Sequence, residues 1–277
     1  MEIEKRITFR TGEFPELIEF LNTNKIKFDD SGIISLLEIY ESDPHWNTIA
    51  RFTEHPGISV QSRTIFTTAE LRNAQWLEVR CVWHNGYPQP EDERFLSESI
   101  TYDGNKLCKK CGNGLVQIDS FRIKKEPKWG QRHFMQLYWA EDEFFVDDLA
   151  KTVLQDEKIT GISFREVKDK AGREIISGVN QLELHSLPEC GFIPDPKQIK
   201  AINYCEKCGS IKYVTNGIGM LKFKKSIFEN APDIVKSADL FGDMICARTV
   251  FINQKTYQAI IRNRIGRGLI FAPIALT

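Results

Sequence analysis

Two short cysteine motifs constrain this chain more than any other feature of its sequence. Residues 108–112 read Cys-Lys-Lys-Cys-Gly, and residues 205–209 read Cys-Glu-Lys-Cys-Gly. Two residues between the cysteines allow one tight turn to direct both sulfurs at a single point, and the following glycine can adopt positive φ. Apolar residues precede each motif and alternate after it, which predicts flanking strands. This arrangement is typical of a zinc ribbon, in which four thiolates enclose a structural zinc ion.

We therefore predict one structural zinc ion, bound by Cys108, Cys111, Cys205 and Cys208. Two alternatives stay open: two separate half-sites completed by other ligands, or thiols without metal. The first motif ends at residue 112 and the second begins at residue 205, whereas the two motifs of a compact ribbon are separated by only roughly 15–20 residues. The metal would then join two distant parts of the chain, with a whole subdomain inserted between them.

Three cysteines lie outside the motifs. Cys81 and Cys246 stand in apolar runs and are predicted to be buried strand residues, whereas Cys190, next to a glycine, is the only plausible spare ligand. The charged N-terminus lacks the apolar core of a secretory signal, and no apolar run approaches the ~20 residues of a membrane span. We therefore expect a cytoplasmic protein with reduced thiols and no membrane partner.

The apolar pattern predicts an α+β fold with mixed sheets, short helices and a split four-cysteine zinc ribbon. The 277 residues suffice for two domains. We place an N-terminal α+β module at residues 1–100, and a zinc-ribbon-containing α+β domain with the long insert at residues 101–277. Strand, polar cap, short helix, glycine turn and strand occur in the same order over residues 144–164 and 250–271. We interpret them as two pseudo-repeated strand–helix–strand units; two unrelated pieces are the alternative.

No catalytic motif accompanies the cysteines. The five histidines form no His-Glu-x-x-His pair, and the sequence contains neither a Gly-x-Ser-x-Gly elbow nor a phosphate-binding loop. Four thiolates around zinc leave no open position for a reacting water. We therefore predict that the protein is not an enzyme and has neither catalytic residues nor a cofactor beyond the structural zinc.

Aromatic residues in two segments are candidates for binding a macromolecule. Residues 121–134 interleave cations with aromatic residues, a pattern that suits phosphate contacts and base stacking. The net charge of −1 favours a simpler interpretation, a solvated strand edge with its aromatic side chains in the core. Aromatic side chains also dominate protein interfaces. The candidate interface anchors are Trp83, Tyr87, Trp129 and Tyr138.

The order of these features resembles a known family. The two Cys-x-x-Cys-Gly motifs and their long insert are followed by Asp239-Leu240-Phe241 and a closing strand. Over roughly residues 105–277 the chain is similar to the double-CXXCG motif family, zinc-ribbon proteins grouped with the immunity proteins of bacterial polymorphic toxin systems. The resemblance implies a bacterial cytoplasmic protein that binds and neutralises a cognate protein toxin. A nucleic-acid-binding zinc-ribbon protein is the alternative function.

Overall fold

The chain forms two compact units. The computed structural model describes residues 1–91, 100–243 and 246–277. The first unit comprises Met1–Glu70 with Asn216–Gly219, and the second comprises Leu71–Thr215 with Met220–Thr277. Short helices and β-sheets make up both units, with an antiparallel sheet in the first and mixed sheets in the second, so the predicted α+β class is confirmed. Among the described residues, no helix has the length and apolar character needed to cross a membrane.

The first unit is built on a four-stranded antiparallel sheet of order β2-β3-β1-β4. Its elements are β1 (Glu2–Arg10), α1 (Pro15–Thr23), β2 (Asp29–Asp30), β3 (Ile34–Tyr40), α2 (Trp46–Phe52) and β4 (Ser59–Ile65), with α3 (Thr68–Asn73) beginning at its end. Pro15 occupies the first turn of α1, where its missing N–H leaves no helical bond unmade. Ile7 and Phe9, two residues apart on β1, face the same side and pack with Leu17 and Leu21 of α1.

The second unit contains two larger sheets. Its strands are β5 (Trp76–Cys81), β6 (Tyr102–Asp103), β7 (Val116–Gln117), β8 (Arg122–Ile123), β9 (Phe134–Leu137), β10 (Ala140–Val146), β11 (Ile162–Asp169), β12 (Ile175–Leu184), β13 (Ile199–Tyr204), β14 (Ile211–Thr215), β15 (Lys222–Phe223), β16 (Ile234–Phe241), β17 (Ala247–Asn253), β18 (Leu269–Pro273) and β19 (Ala275–Leu276). Helices α4 (Asp148–Asp156) and α5 (Gln254–Arg262) connect them. The sheet orders are β8-β11-β12-β10-β9 and β13-β14-β16-β17-β5-β18.

One hydrophobic core joins the two sheets of the second unit. Inward-facing residues of β10 and β12 meet those of β5 and β17, and both helices close the core with their apolar faces. Its members include Phe144, Val146, Leu182, Val250 and Ile252. Burying apolar side chains of this size stabilises the unit by roughly 1.5–3 kcal/mol each relative to full exposure. The core therefore fixes β10 and β17, the two strands that also carry the charged residues described below.

The two segments predicted to be pseudo-repeats share local details. Asp147 and Asn253 cap α4 and α5 by accepting the amides of Ala150 and Thr256, and Lys158 and Arg264 adopt positive φ after the helices end. Topology agrees as well: β10 and β11 flank β12, just as β17 and β18 flank β5. These likenesses are consistent with the repeat, which stays a prediction.

The compact units divide at a different place from the predicted boundary at residue 100. Strand β5 was assigned to the N-terminal module, but it lies between β17 and β18 in the six-stranded sheet of the second unit. Residues 71–81 therefore belong with the C-terminal part of the chain. The reason is a strand pairing between residues almost two hundred positions apart, which no local pattern encodes.

The aspartate of the Asp239-Leu240-Phe241 motif has a structural role. Asp239 is only 4% exposed, and its carboxylate accepts the backbone amides of Gly191 and Phe192 at 2.9 and 3.1 Å. Those amides lie in the irregular stretch of residues 188–196, which makes few regular backbone bonds of its own. Asp239 thus satisfies buried donors and anchors this stretch to β16.

Candidate metal centre

The first cysteine motif forms a tight turn stabilised by its own backbone. The carbonyl of Cys108 accepts the amides of Cys111 and Gly112 at 3.1 and 2.8 Å, and its amide donates to the carbonyl of Asn113 at 2.7 Å. Gly112 has φ +78°, the conformation for which glycine is suited. Gly114 follows with φ +100°, and a Cβ there would lie 2.3 Å from the carbonyl oxygen of Lys106. The backbone that leaves the motif at Gly114 thus passes so close to the backbone that enters it at Lys106 that residue 114 has no room for a side chain.

The second motif repeats this turn at the end of the β13–β14 hairpin. The carbonyl of Cys205 accepts the amide of Gly209 at 2.8 Å, and its amide donates to the carbonyl of Ser210 at 2.9 Å. Gly209 has φ +73°, close to the value at Gly112. The antiparallel pairing of Tyr204 with Ile211 closes the hairpin immediately below the turn. Both motifs therefore direct two sulfurs outward from nearly the same backbone geometry.

The structure brings the four predicted cysteines together. The Sγ atoms of Cys108 and Cys205 are 3.7 Å apart, those of Cys111 and Cys208 are 3.5 Å apart, and all four ligand atoms lie within 4.8 Å of one another. Zinc–sulfur bonds of roughly 2.3 Å in a tetrahedron place sulfurs about 3.8 Å apart. Disulfide sulfurs would be only about 2.05 Å apart. The spacing therefore fits four ligands around one metal ion and does not fit disulfides.

Two contacts between the motifs accompany the sulfur cluster. The side-chain amide of Asn113 donates to the Ser210 hydroxyl at 2.7 Å, and the ammonium of Lys110 lies 2.7 Å from the carboxylate of Glu206. The ion pair is well exposed and contributes little stability. The bonds of the two turns and the sulfur spacing, rather than this pair, define the centre.

The surroundings of the sulfurs favour thiolates at two positions. The hydroxyl and amide of Ser210 lower the pKa of Cys208 to about 6, and the amides of Cys111 and Lys110 lower the pKa of Cys108. Burial raises the pKa of Cys111 to about 12. Metal ligation requires all four sulfurs to be deprotonated, so a bound cation would offset this cost of burial at Cys111.

The other cysteines lie outside the four-sulfur cluster. Cys190, the predicted spare ligand, is exposed, and its thiol contacts Asp239 instead. Cys81 is buried on β5, as predicted, and donates to the carbonyl of Phe134. The prediction for Cys246 is wrong: it precedes β17 and is only half-buried, and a Cβ on Gly112 would lie 3.9 Å from its own Cβ.

A buried charged cluster, which was not predicted from the sequence, lies beside the first motif. The Lys236 ammonium is 2.6 Å from the carboxylate of Glu143 and 3.7 Å from that of Asp142. Gln181 donates to the other oxygen of Glu143 at 3.1 Å. Lys236 and Glu143 are only 6% and 9% exposed. These residues line a cavity of about 210 Å³ together with Gly112 and its neighbours.

Opposing effects set the ionisation of this pair. Burial raises the pKa of Glu143, and the nearby Lys236 ammonium offsets only part of that rise. Burial by itself would lower the pKa of Lys236, but Asp142 and Glu143 outweigh it and hold the pKa above its ordinary value. Lys236 is therefore the cation on which both carboxylates depend.

The four candidate anchors divide into two packed and two exposed residues. Trp129 packs edge-on against Trp83 and donates its indole N–H to the carbonyl of Gly178. Tyr87 and Tyr138 are 37% and 44% exposed. They form an aromatic stack with His84 and Trp139, whose neighbouring ring centroids lie 4.6–5.2 Å apart. Phe121 and Phe134 of the basic segment are buried, whereas its lysines, Lys124, Lys125 and Lys128, are exposed.

The comparisons with protein-family models and with curated proteins identify no relative of this chain, since no family model and no curated protein matches it.

Proposed function

We propose that this chain is a non-catalytic, zinc-binding protein of the bacterial cytoplasm that binds and neutralises a protein toxin. The observation that carries the proposal is the joining of two distant Cys-x-x-Cys-Gly turns into one four-sulfur cluster. That pair of turns is the feature on which the resemblance to the double-CXXCG motif family rests. The ion is zinc because four thiolates with tetrahedral spacing are its characteristic structural ligand set.

The chemistry of the cluster favours a structural role. Four sulfurs complete the tetrahedron, so no position stays open for a substrate or an activated water. The zinc then acts as a cross-link between residues 108–111 and 205–208. A protein that neutralises a toxin needs a rigid, shape-complementary surface, and a zinc cross-link within the second unit provides rigidity without a reactive group.

The aromatic stack is the best candidate for the toxin-binding surface. Tyr87 and Tyr138 expose large rings that pack against each other with centroids 4.9 Å apart, and their backbones are linked where the amide of Tyr138 donates to the carbonyl of Gly86 at 2.9 Å. Pre-ordered aromatic side chains lose little entropy on binding and often carry most of the energy of a standard interface of about 1,600 Å². The lysines of the two cysteine turns, Lys109, Lys110 and Lys207, are in contrast exposed charges, and surface charges contribute little to binding energy.

Replacing the exposed aromatic residues should weaken toxin binding. We expect Tyr138→Ala and Tyr87→Ala each to cost about 1–3 kcal/mol of binding free energy, whereas Lys109→Ala should change it by less than about 0.5 kcal/mol. A toxin-like reading frame directly upstream of the gene, where one is found, would encode the partner to use. Calorimetry measures the affinity, and growth of cells that express the toxin with each variant measures neutralisation. Failure of the unmodified chain to protect such cells, or loss of affinity only in Lys109→Ala, would contradict the proposal.

Nucleic-acid binding is the alternative, and one observation favours it. Lys124, Lys125 and Lys128 are exposed together on one segment and are available to phosphates. Of the aromatic side chains in that segment, Phe121 and Phe134 are buried and Trp129 packs edge-on against Trp83, so little surface is left for base stacking. Recovery of nucleic acid with the purified protein, in amounts that fall steeply with added salt, would support this alternative.

A further inference from the structure

Two central strands of the six-stranded sheet separate and open a cleft. Strands β5 and β17 pair from Trp76 opposite Asn253 to Val79 opposite Val250, where their hydrogen-bonded ladder ends. Beyond it, the amides of Arg248 and Thr249 donate to Asp142 and Ser237 at 3.3 and 3.0 Å, away from β5. On the other side, Val82 donates to the carbonyl of Gly268 at 2.9 Å. Beyond this point β5 and β17 therefore hydrogen-bond to other segments and not to each other, which leaves a gap between the two strands.

The gap, here called the β5–β17 cleft, has the size and lining of a small-molecule site. Its volume is about 760 Å³, within the range of roughly 300–1,000 Å³ that ligand sites occupy. Val79, Phe144 and Val250 are buried and form apolar walls, while Val82 and Ile270 are exposed at its edge. An apolar body of moderate size therefore fits the cleft.

One cation in the cleft has no acceptor within the described part of the chain. The Nε atom of Arg248 is buried without a hydrogen-bond partner, and its guanidinium forms no ion pair with any described carboxylate. Asp142, which accepts the backbone amide of Arg248, and Glu143 both lie within 4.0 Å of the Lys236 ammonium. Burying a donor without an acceptor is unfavourable, so Arg248 is suited to an acceptor brought by a ligand.

The other charges of the cleft define the kind of anion. Three carboxylates line the cleft: Glu78 pairs with Arg80 at 3.3 Å, Glu141 lies 3.8 Å from His84, and Asp243 accepts the side-chain amide of Asn203 at 3.4 Å. The walls therefore carry negative charge that is only locally balanced. A doubly charged phosphate would meet these carboxylates at close range. A planar single anion matches the fork of a guanidinium and experiences less repulsion.

We propose that the β5–β17 cleft binds an organic carboxylate, with the carboxylate on the guanidinium of Arg248 and an apolar body against Phe144 and the valines. None of the four clustered cysteines lines this cleft, and the cleft shares His84 with the aromatic stack proposed to bind the toxin. The carboxylate comes either from a free acid or from the C-terminus of a peptide, and the two sources share this chemistry.

Titration of the full-length, zinc-loaded chain with 3-phenylpropionate tests the site. We expect the acid to bind, and 3-phenylpropanamide and inorganic phosphate to bind at least about tenfold more weakly. Arg248→Met should weaken binding of the acid by at least about tenfold, whereas Arg80→Met, in the same cleft but already paired with Glu78, should change it by less than about threefold. A short peptide that ends in phenylalanine, tested with a free and with an amidated C-terminus, identifies the source of the carboxylate. If the peptide with the free C-terminus binds more tightly than 3-phenylpropionate, the natural ligand is a peptide terminus.

Stability measurements separate binding from folding. Arg248→Met removes a buried donor without an acceptor, so its melting temperature should equal or exceed that of the unmodified protein. If that variant does not fold, Arg248→Lys carries the test, because it keeps the charge and loses the planar fork; its affinity should fall by about tenfold. Equal binding of acid and amide, unchanged binding in the Arg248 variants, or no binding of either acid at about 5 mM would overturn the proposal.

Discussion

Replacing Cys205 with serine will lower the melting temperature of the protein by about 10 °C. Cys205 is buried and lies 3.7 Å from the sulfur of Cys108, so its loss opens the four-sulfur cluster and separates the two turns. Structural zinc contributes roughly 10–16 kcal/mol to folding in zinc-finger peptides. A third of that energy corresponds to about 10 °C in a unit of this size, at about 2–4 °C per kcal/mol. Differential scanning calorimetry of the zinc-loaded proteins measures the change.

Cys190→Ser is the matched control for this prediction. Cys190 is exposed and lies outside the four-sulfur cluster, so the same chemical change there should shift the melting temperature by no more than about 2 °C. Similar small shifts in both variants would show that the cluster does not stabilise the fold.

Lys236→Met will destabilise the protein by about 3–5 kcal/mol. The substitution keeps most of the side-chain volume but leaves the carboxylate of Glu143 buried without its cation, and such uncompensated charges are among the costliest single changes. Lys110→Met is the matched control, because Lys110 also forms an ion pair of 2.7 Å but both partners are well exposed. Its cost should be about 0–1 kcal/mol. Urea unfolding measures both values.

The pH dependence of the Lys236→Met variant identifies the cause. Without the ammonium, the buried Glu143 carboxyl has a pKa raised even further above the ordinary value of about 4.3. A raised folded-state pKa means that Glu143 holds its proton more tightly in the folded protein, so the contribution of this one group to stability is fully present below pH ~4 and is lost as the pH rises through its folded-state pKa. Adding Glu143→Gln should recover more than half of the loss at pH 7. A loss that does not depend on pH, or no recovery in the double variant, would indicate a packing effect instead.

The parts of the structure that were predicted from sequence are local. The positions of Cys108 and Cys111 follow from a turn that two intervening residues and one glycine nearly determine, and the same holds for Cys205 and Cys208. Helices α4 and α5 begin at polar caps that are visible in the sequence. Each of these features depends on residues fewer than ten positions apart.

The parts that were not predicted depend on contacts between distant residues. Strand β5 pairs with β17 and β18 across most of the chain, which moved it out of the predicted N-terminal module. Lys236 meets Glu143 only because β16 and β10 lie in facing sheets. A hint was present, since Lys236 interrupts an apolar strand, but a lysine in a strand usually faces solvent and nothing in the sequence named its partner. Arg248 is likewise significant only because β5 and β17 separate.

X-ray absorption at the zinc edge, together with elemental analysis of the purified protein, tests the central claim that one zinc ion joins the two cysteine motifs. We expect one zinc per chain, surrounded by four sulfurs at about 2.3 Å and by no nitrogen or oxygen. Cys108→Ser should lower the sulfur number or abolish binding, because each sulfur is one of the four ligands. A well-folded protein without metal, or a zinc ion with only two sulfur ligands in the unmodified chain, would contradict the claim.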